Sequence, residues 1–235
     1  MATLAQRRRP NGKTGHNPLA APLLLFGGSV VIAGLYIAYV LWPRWPDTPV
    51  APDAPSLPIV VAGVNFNIEP AAIRRAIQRR PGVQERVDLA YLWPSLAPPD
   101  PQRKPSLGRP ADPNRRLIVT IASGETTLPI MQRVKDIYPR YLVAEPAAGP
   151  PGLTLRGFRD GTPYQGEELA FEQADPAHFL ARCSLKGVVN SGNCLLERRI
   201  GQADITFRFP RAWLKDWKRV QASVDKLLTR LHPHS

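Results

Sequence analysis

The sequence predicts an α+β protein with an N-terminal single transmembrane helix and a proline-rich stalk. An outer domain follows, in which a β-α-β start leads to an antiparallel sheet with a C-terminal amphipathic helix. Three observations predict it. Residues Leu19 to Trp42 run for twenty-four positions without a charged side chain. Prolines then fall at every third position, at Pro43, Pro46, Pro49, Pro52, Pro55 and Pro58. Beyond them short apolar runs alternate with turn residues, until a last segment opened by Pro210 repeats its apolar residues at spacings of 4, 3, 4, 3 and 4.

About twenty apolar residues in a helix cross the hydrocarbon core of a bilayer, so the first run has length to spare. A helix buried in a soluble core is rarely apolar on every face, as this one is. The run also exceeds the 7–15 residues of a signal peptide's apolar region, and the nearest small-residue site, Ala51 to Ala54, is followed by Pro55, so cleavage is not expected. Arg7, Arg8, Arg9 and Lys13 precede the run with no acid among them, whereas Arg44 is the one basic residue between it and Arg74. Basic residues resist translocation, which predicts a cytoplasmic N-terminus. Tyr36, Tyr39, Trp42 and Trp45 fall at the far interface, where amphipathic rings settle.

Proline fixes φ, and a polyproline helix has three residues per turn, so six prolines at this period line one side of a rod. From Pro43 to Pro58 the rod spans about 45 Å at roughly 3.1 Å per residue. It reads as a semi-rigid spacer. The expected organisation is a cytoplasmic tail at 1–18, the transmembrane helix at 19–42, the stalk at 43–58 and a periplasmic α+β domain at 59–235 with an extended loop at 94–114.

Within that domain Ile59 to Val64 reads as a buried strand. A helix capped by Asn67 is expected next, with Ala72, Ile73, Ala76 and Ile77 as its apolar stripe and Arg74, Arg75, Arg79 and Arg80 largely off it. Val87 to Trp93 completes the β-α-β start. Seven prolines between Pro94 and Asn114, with no apolar period, predict the long loop. Leu117 to Ala122 is a third strand and Leu128 to Ile137 a short helix with Pro129 in its first turn. Strands follow at Leu153 to Phe158, Glu168 to Phe171, around the two cysteines, and at Asp204 to Phe209, where apolar and polar residues alternate strictly. Trp213, Trp217, Val220, Val224, Leu227 and Leu231 form the stripe of the final helix, suited to packing across the sheet.

Composition bounds the compartment and the partners. The chain carries 24 Arg against 7 Lys together with 27 Pro, a bias that suits a GC-rich bacterial genome. No Asn-x-Ser/Thr acceptor occurs. Residues beyond the apolar run hold 27 basic and 19 acidic side chains, so the outer domain is itself basic. Such a domain attracts an acidic protein surface, an anionic lipid or an anionic envelope polymer. Arg74, Arg75, Arg79 and Arg80 are the candidate surface for that anionic partner. Nucleic acid is disfavoured by location and by the missing aromatic-and-basic reading motifs, so no nucleic-acid partner is expected. The two cysteines, Cys183 and Cys194, flank a turn-rich segment and predict a disulfide across a hairpin, which at that spacing contributes roughly 2–3 kcal/mol. They lack the Cys-x-x-Cys spacing of a redox site.

Catalytic chemistry has few carriers here. Of four histidines, His16 lies in the tail, His232 and His234 at the end, and His178 alone within the domain. No catalytic, cofactor or metal residue is predicted. The one candidate for enzymatic chemistry is the acidic group Glu167, Glu168, Glu172 and Asp175. The expectation is therefore a non-catalytic, membrane-anchored periplasmic protein of the bacterial inner membrane that docks on another protein of the envelope. A carboxylate-type envelope enzyme acting on glycan or lipid is the alternative.

Overall fold

The architecture comes from a computed structural model, which describes residues 20–41, 50–51, 53–99, 115–185 and 192–233. The chain divides into two compact units, 1–45 and 46–235. The expected tail, the rings of Pro43, Pro46, Pro49 and Pro52, the loop segment 100–114 and the hairpin segment 186–191 lie outside the described residues.

In the first unit Ala20–Leu41 is a single helix, α1. Its 22 residues span about 33 Å, enough to cross a hydrocarbon core. Its large apolar side chains from Leu23 to Val40 are exposed. Ser29, the polar side chain midway along it, donates to the carbonyls of Leu25 and Phe26 at 3.0 and 2.9 Å, so its hydroxyl needs no water.

The second unit is built on an eight-stranded antiparallel sheet. Its strands are β4 (Arg86–Leu92), β5 (Arg116–Ser123), β6 (Ala147–Ala148), β7 (Leu153–Gly157), β8 (Glu167–Glu172), β9 (Leu180–Ser184), β10 (Asn193–Ile200) and β11 (Ala203–Pro210). Their order is β4-β5-β11-β10-β9-β8-β7-β6. Alternation puts Val87, Leu89 and Tyr91 of β4, Leu117, Val119 and Ile121 of β5, and Ala203, Ile205, Phe207 and Phe209 of β11 on one buried face. A smaller sheet, β2-β1-β3, is formed by β1 (Leu57–Val61), β2 (Val64–Ile68) and β3 (Gly82–Val83), and its Ile59, Val61, Phe66 and Ile68 join the same core. The C-terminal helix α3 (Trp217–Leu231) closes that core. All six stripe residues are buried, Trp213 among them on the 3-10 turn Arg211–Asp216 that leads into the helix. The α+β class, the antiparallel sheet and the closing helix are as the periodicity predicts.

The start of the domain differs from the expected β-α-β unit. The run read as one strand is a hairpin, because Ala62 and Gly63 both take positive φ, 48° and 77°, as a type I′ turn requires. Pro58, the last ring of the ladder, lies inside β1 opposite Asn67, and Asn67 is a β2 residue rather than a helix cap. The expected helix is instead two single 3-10 turns, Pro70–Ala72 and Ala76–Gln78. A helix of this length is marginal by itself, and the free edge of β4 competes for its backbone. Ile73 forms a bridge with Leu89, and the Arg74 N–H donates to the Asp88 carbonyl at 2.9 Å. Strand β4 belongs to the large sheet, and the parallel partner of β1 is β3.

The proline-rich loop is pinned where it begins. Leu96 is buried with φ 57°, Ala97 bridges back to Leu92, and Arg230 of α3 donates to the Leu96 carbonyl at 2.9 Å. Trp93 stacks on Trp213 at 4.2 Å. Helix α2 (Ile130–Asp136) follows Pro129 and, with Tyr138, Leu142, Phe158 and Leu169, builds a small second core on the other face of β8.

Candidate functional site

The four predicted arginines are brought onto one segment, the irregular stretch between β2 and β4. Arg74, Arg75 and Arg80 are exposed and Arg79 is half-buried. Arg79 turns inward and donates to the Ile73 carbonyl, at 3.2 Å from Nη2. Arg75 approaches Asp88 at 3.3 Å, and Arg86 pairs with the same carboxylate at 2.8 Å. Asp88 stands on β4 opposite Thr120 of β5, whose hydroxyl donates to it at 3.0 Å. Gln78 completes the knot, since its Oε1 accepts the Asp88 N–H at 3.0 Å. The Asp88 side chain is 3 % exposed. Burial pushes its carboxyl up, but the hydrogen bonds from Arg86, Thr120 and Gln78 and the Arg86 charge outweigh burial, and the group sits below the usual carboxylate range. Sequence reading missed Asp88. The signal was an acid between buried aliphatics in a strand that opens on Arg86 and follows four further arginines.

This knot sets the shape of the segment. Gln84 is buried and donates to the carbonyls of Gln78 and Arg80 at 3.1 and 2.7 Å, which ties the second 3-10 turn to β3. With the polar groups turned inward, two aliphatic side chains are left outside. Ile77 is 77 % and Val83 80 % exposed.

The acidic group does not converge. Glu167 and Glu168 are neighbours on β8 and so point to opposite faces. Glu167 pairs with Arg182, and Glu168 accepts from Arg211 Nε at 2.6 Å. Glu172 meets His178 Nδ1 at 2.6 Å, and Asp175 accepts the Ala177 N–H at 2.9 Å. Three of the four carboxylates therefore have a separate cationic or imidazole partner. Among the described residues no His, Cys, Asp and Glu side chains group to hold a metal ion.

A cleft of about 230 Å³ lies between the start of α2 and strands β9 to β11, with Ile130, Met131 and Leu180 as apolar walls. It contains two carboxylates that sequence reading did not single out, Glu197 and Asp204. Each is paired: Glu197 with Arg133, and Asp204 with Arg199 at 2.6 Å and with the Thr127 hydroxyl at 2.5 Å. Burial raises the Asp204 carboxyl, yet the Arg199 and Thr127 hydrogen bonds and the arginine charges hold it below the usual range. Such a group stays ionised at neutral pH and donates no proton. Arg133 and Thr127 stand 64 and 77 positions from the carboxylates they bind, beyond any local motif.

Cys183 and Cys194 are direct partners across β9 and β10, fully buried, and their sulfurs are bonded. The bond locks neighbouring strands at the centre of the sheet.

An exposed apolar helix and a disulfide-closed α+β domain define a class, the membrane-anchored envelope domain. No family model matches the chain, and no curated protein does. A solved structure that matches is an immunity protein of the Stenotrophomonas maltophilia type IV secretion system, 16 % identical, covering 75 % of this chain and 92 % of that one with a TM-score of 0.42. A likeness of that size carries no argument about this chain.

Proposed function

We propose that this chain is a non-catalytic, membrane-anchored interaction or assembly protein of the bacterial envelope, whose periplasmic domain docks on another envelope protein. In this reading residues 1–18 are the cytoplasmic tail, 19–42 span the inner membrane, and 43–58 are the spacer, whose last two residues run in β1. Residues 59–235 are the periplasmic domain. The carrying observation is α1, apolar and exposed along its length, joined in one chain to a domain closed by a disulfide.

Basic residues ahead of α1 support the cytoplasmic placement of the N-terminus. The basic balance of the domain supports an acidic protein surface as partner, with anionic lipid or envelope polymer as secondary attractions. Nucleic acid has no part in this reading. A carboxylate enzyme is disfavoured because Glu167, Glu168, Glu197 and Asp204 are each held by an arginine, whereas glycoside hydrolysis needs one carboxyl kept protonated beside another.

Crosslinking in native membranes, followed by recovery of the full chain in mild detergent, tests the reading. One envelope protein recovered in fixed ratio is the expected result. Recovery of the chain alone under several detergents counts against it.

A further inference from the structure

The face of the large sheet that looks away from the main core is covered over only part of its width. Helix α2 lies over its β8 side, where Ile130, Val134 and Ile137 pack with Phe158 and Leu169, and Arg133 reaches as far as Glu197 of β10. Among the described residues none from β4, β5 or β11 belongs to that second core. On β4 the knot around Asp88 forms the other border. Between the two borders the register sets out a strip of side chains. Thr120 of β5 lies beside Thr206 of β11, and Ile118 lies beside Arg208, which in turn lies beside Leu195 of β10. Strand alternation turns all of them away from the core. Ile118, Thr120, Leu195 and Thr206 are half-buried and Arg208 is exposed, whereas Val119 and Phe207 on the inner face are fully buried.

The charges along this strip are unbalanced. Each carboxylate at its margin already holds an arginine: Asp88 with Arg86, Glu197 with Arg133, and Asp204 with Arg199. Among the described residues Arg208 forms no ion pair, and neither does Arg116, two positions before Ile118 on the same face of β5. The centres of protein interfaces are enriched in arginine beside apolar contact, and a guanidinium takes a carboxylate through two parallel hydrogen bonds. The strip therefore complements an acidic protein surface. It suits a bilayer less well, because its aliphatics are half-buried among their neighbours and membrane insertion needs apolar groups that enter the headgroup layer.

We propose that the strip of β5, β11 and β10 centred on Arg208 is the surface on which the partner protein docks, with a partner carboxylate on Arg208 and a partner aliphatic side chain on Ile118 and Leu195. This rests on the docking reading above and gives the contact a place, the open half of the sheet.

The test puts the photocrosslinking residue benzoylphenylalanine in place of Thr206 in the full chain, in native membranes, with exposed Ala222 of α3 as the comparison site. One adduct with another protein from position 206, and none from position 222, is expected. Mass spectrometry should find the attachment in partner sequence that carries Asp or Glu beside an aliphatic residue. Arg208→Glu should lower the yield by about tenfold, because it sets like charges against each other. Arg208→Lys keeps the charge and should fall between Arg208→Glu and the parent, while Lys215→Gln with Lys226→Gln should change nothing. An adduct that Arg208→Glu leaves undiminished overturns the inference, and so does attachment to a second copy of this chain, to its own 100–114 stretch or to lipid. Silence at position 206 beside an adduct from position 80 or 222 overturns it too, by moving the partner to another face. Silence at all three, with no partner recovered by general crosslinking, contradicts the docking reading itself, so the two failures are distinct.

Discussion

Asp88 is the residue on which the start of the domain turns. Its carboxylate gathers Arg75, Arg86, Thr120 and Gln78 from β4, β5 and the 3-10 turns, and so converts a basic stretch into a fixed shape. Asp88→Asn keeps the size of the side chain but leaves two guanidinium groups without their anion. It should lower stability by about 2–3 kcal/mol at neutral pH, measured by urea denaturation. The pH dependence has a definite sign. The folded carboxyl lies below its ordinary value, so its contribution is complete above about pH 4, the unfolded value, and is lost as pH falls through the lower folded value. The Asn variant should show a shallower acid limb than the parent. Parallel acid limbs would mean that Asp88 is not the group responsible.

At the scale of elements, what was legible depended on period. Strands β5 and β11 alternate cleanly, and the α3 stripe recurs every three or four residues, so burial follows from the sequence. The segment 69–81 misled because Ala72 and Ile73 are buried while Ile77, a turn later, is exposed: half of the stripe had a core to meet. The hairpin of β1 and β2 was hidden by its turn, Ala62-Gly63, where Asn-Gly would have announced it. Ala62→Asn should stabilise the domain by about 0.5–1 kcal/mol by relieving a positive φ, read as a higher midpoint in urea. No gain would mean that the turn relaxes elsewhere. The disulfide was legible from spacing and turn residues alone. Replacing Cys183 and Cys194 together by Ala should cost about 3 kcal/mol, the closure entropy of a loop with a separation of 11. A loss well under 1 kcal/mol would show that β9 and β10 are held by the rest of the sheet.

For the whole molecule, the anchor and the class of the domain could be read from the chain, while the pairing of carboxylates such as Glu197 with Arg133 and Glu168 with Arg211 could not, because those partners are remote in sequence. The chain joins an apolar helix long enough to span a bilayer, a proline-rich segment and a basic sheet domain. In the proposed reading α1 carries this domain to the outer side of the inner membrane. Paired reporters fused after Ser235 test that most directly, one active only in the oxidising periplasm and one fluorescent only in the cytoplasm. Activity from the first and darkness from the second are expected. Cytoplasmic fluorescence with an inactive periplasmic reporter would contradict that reading.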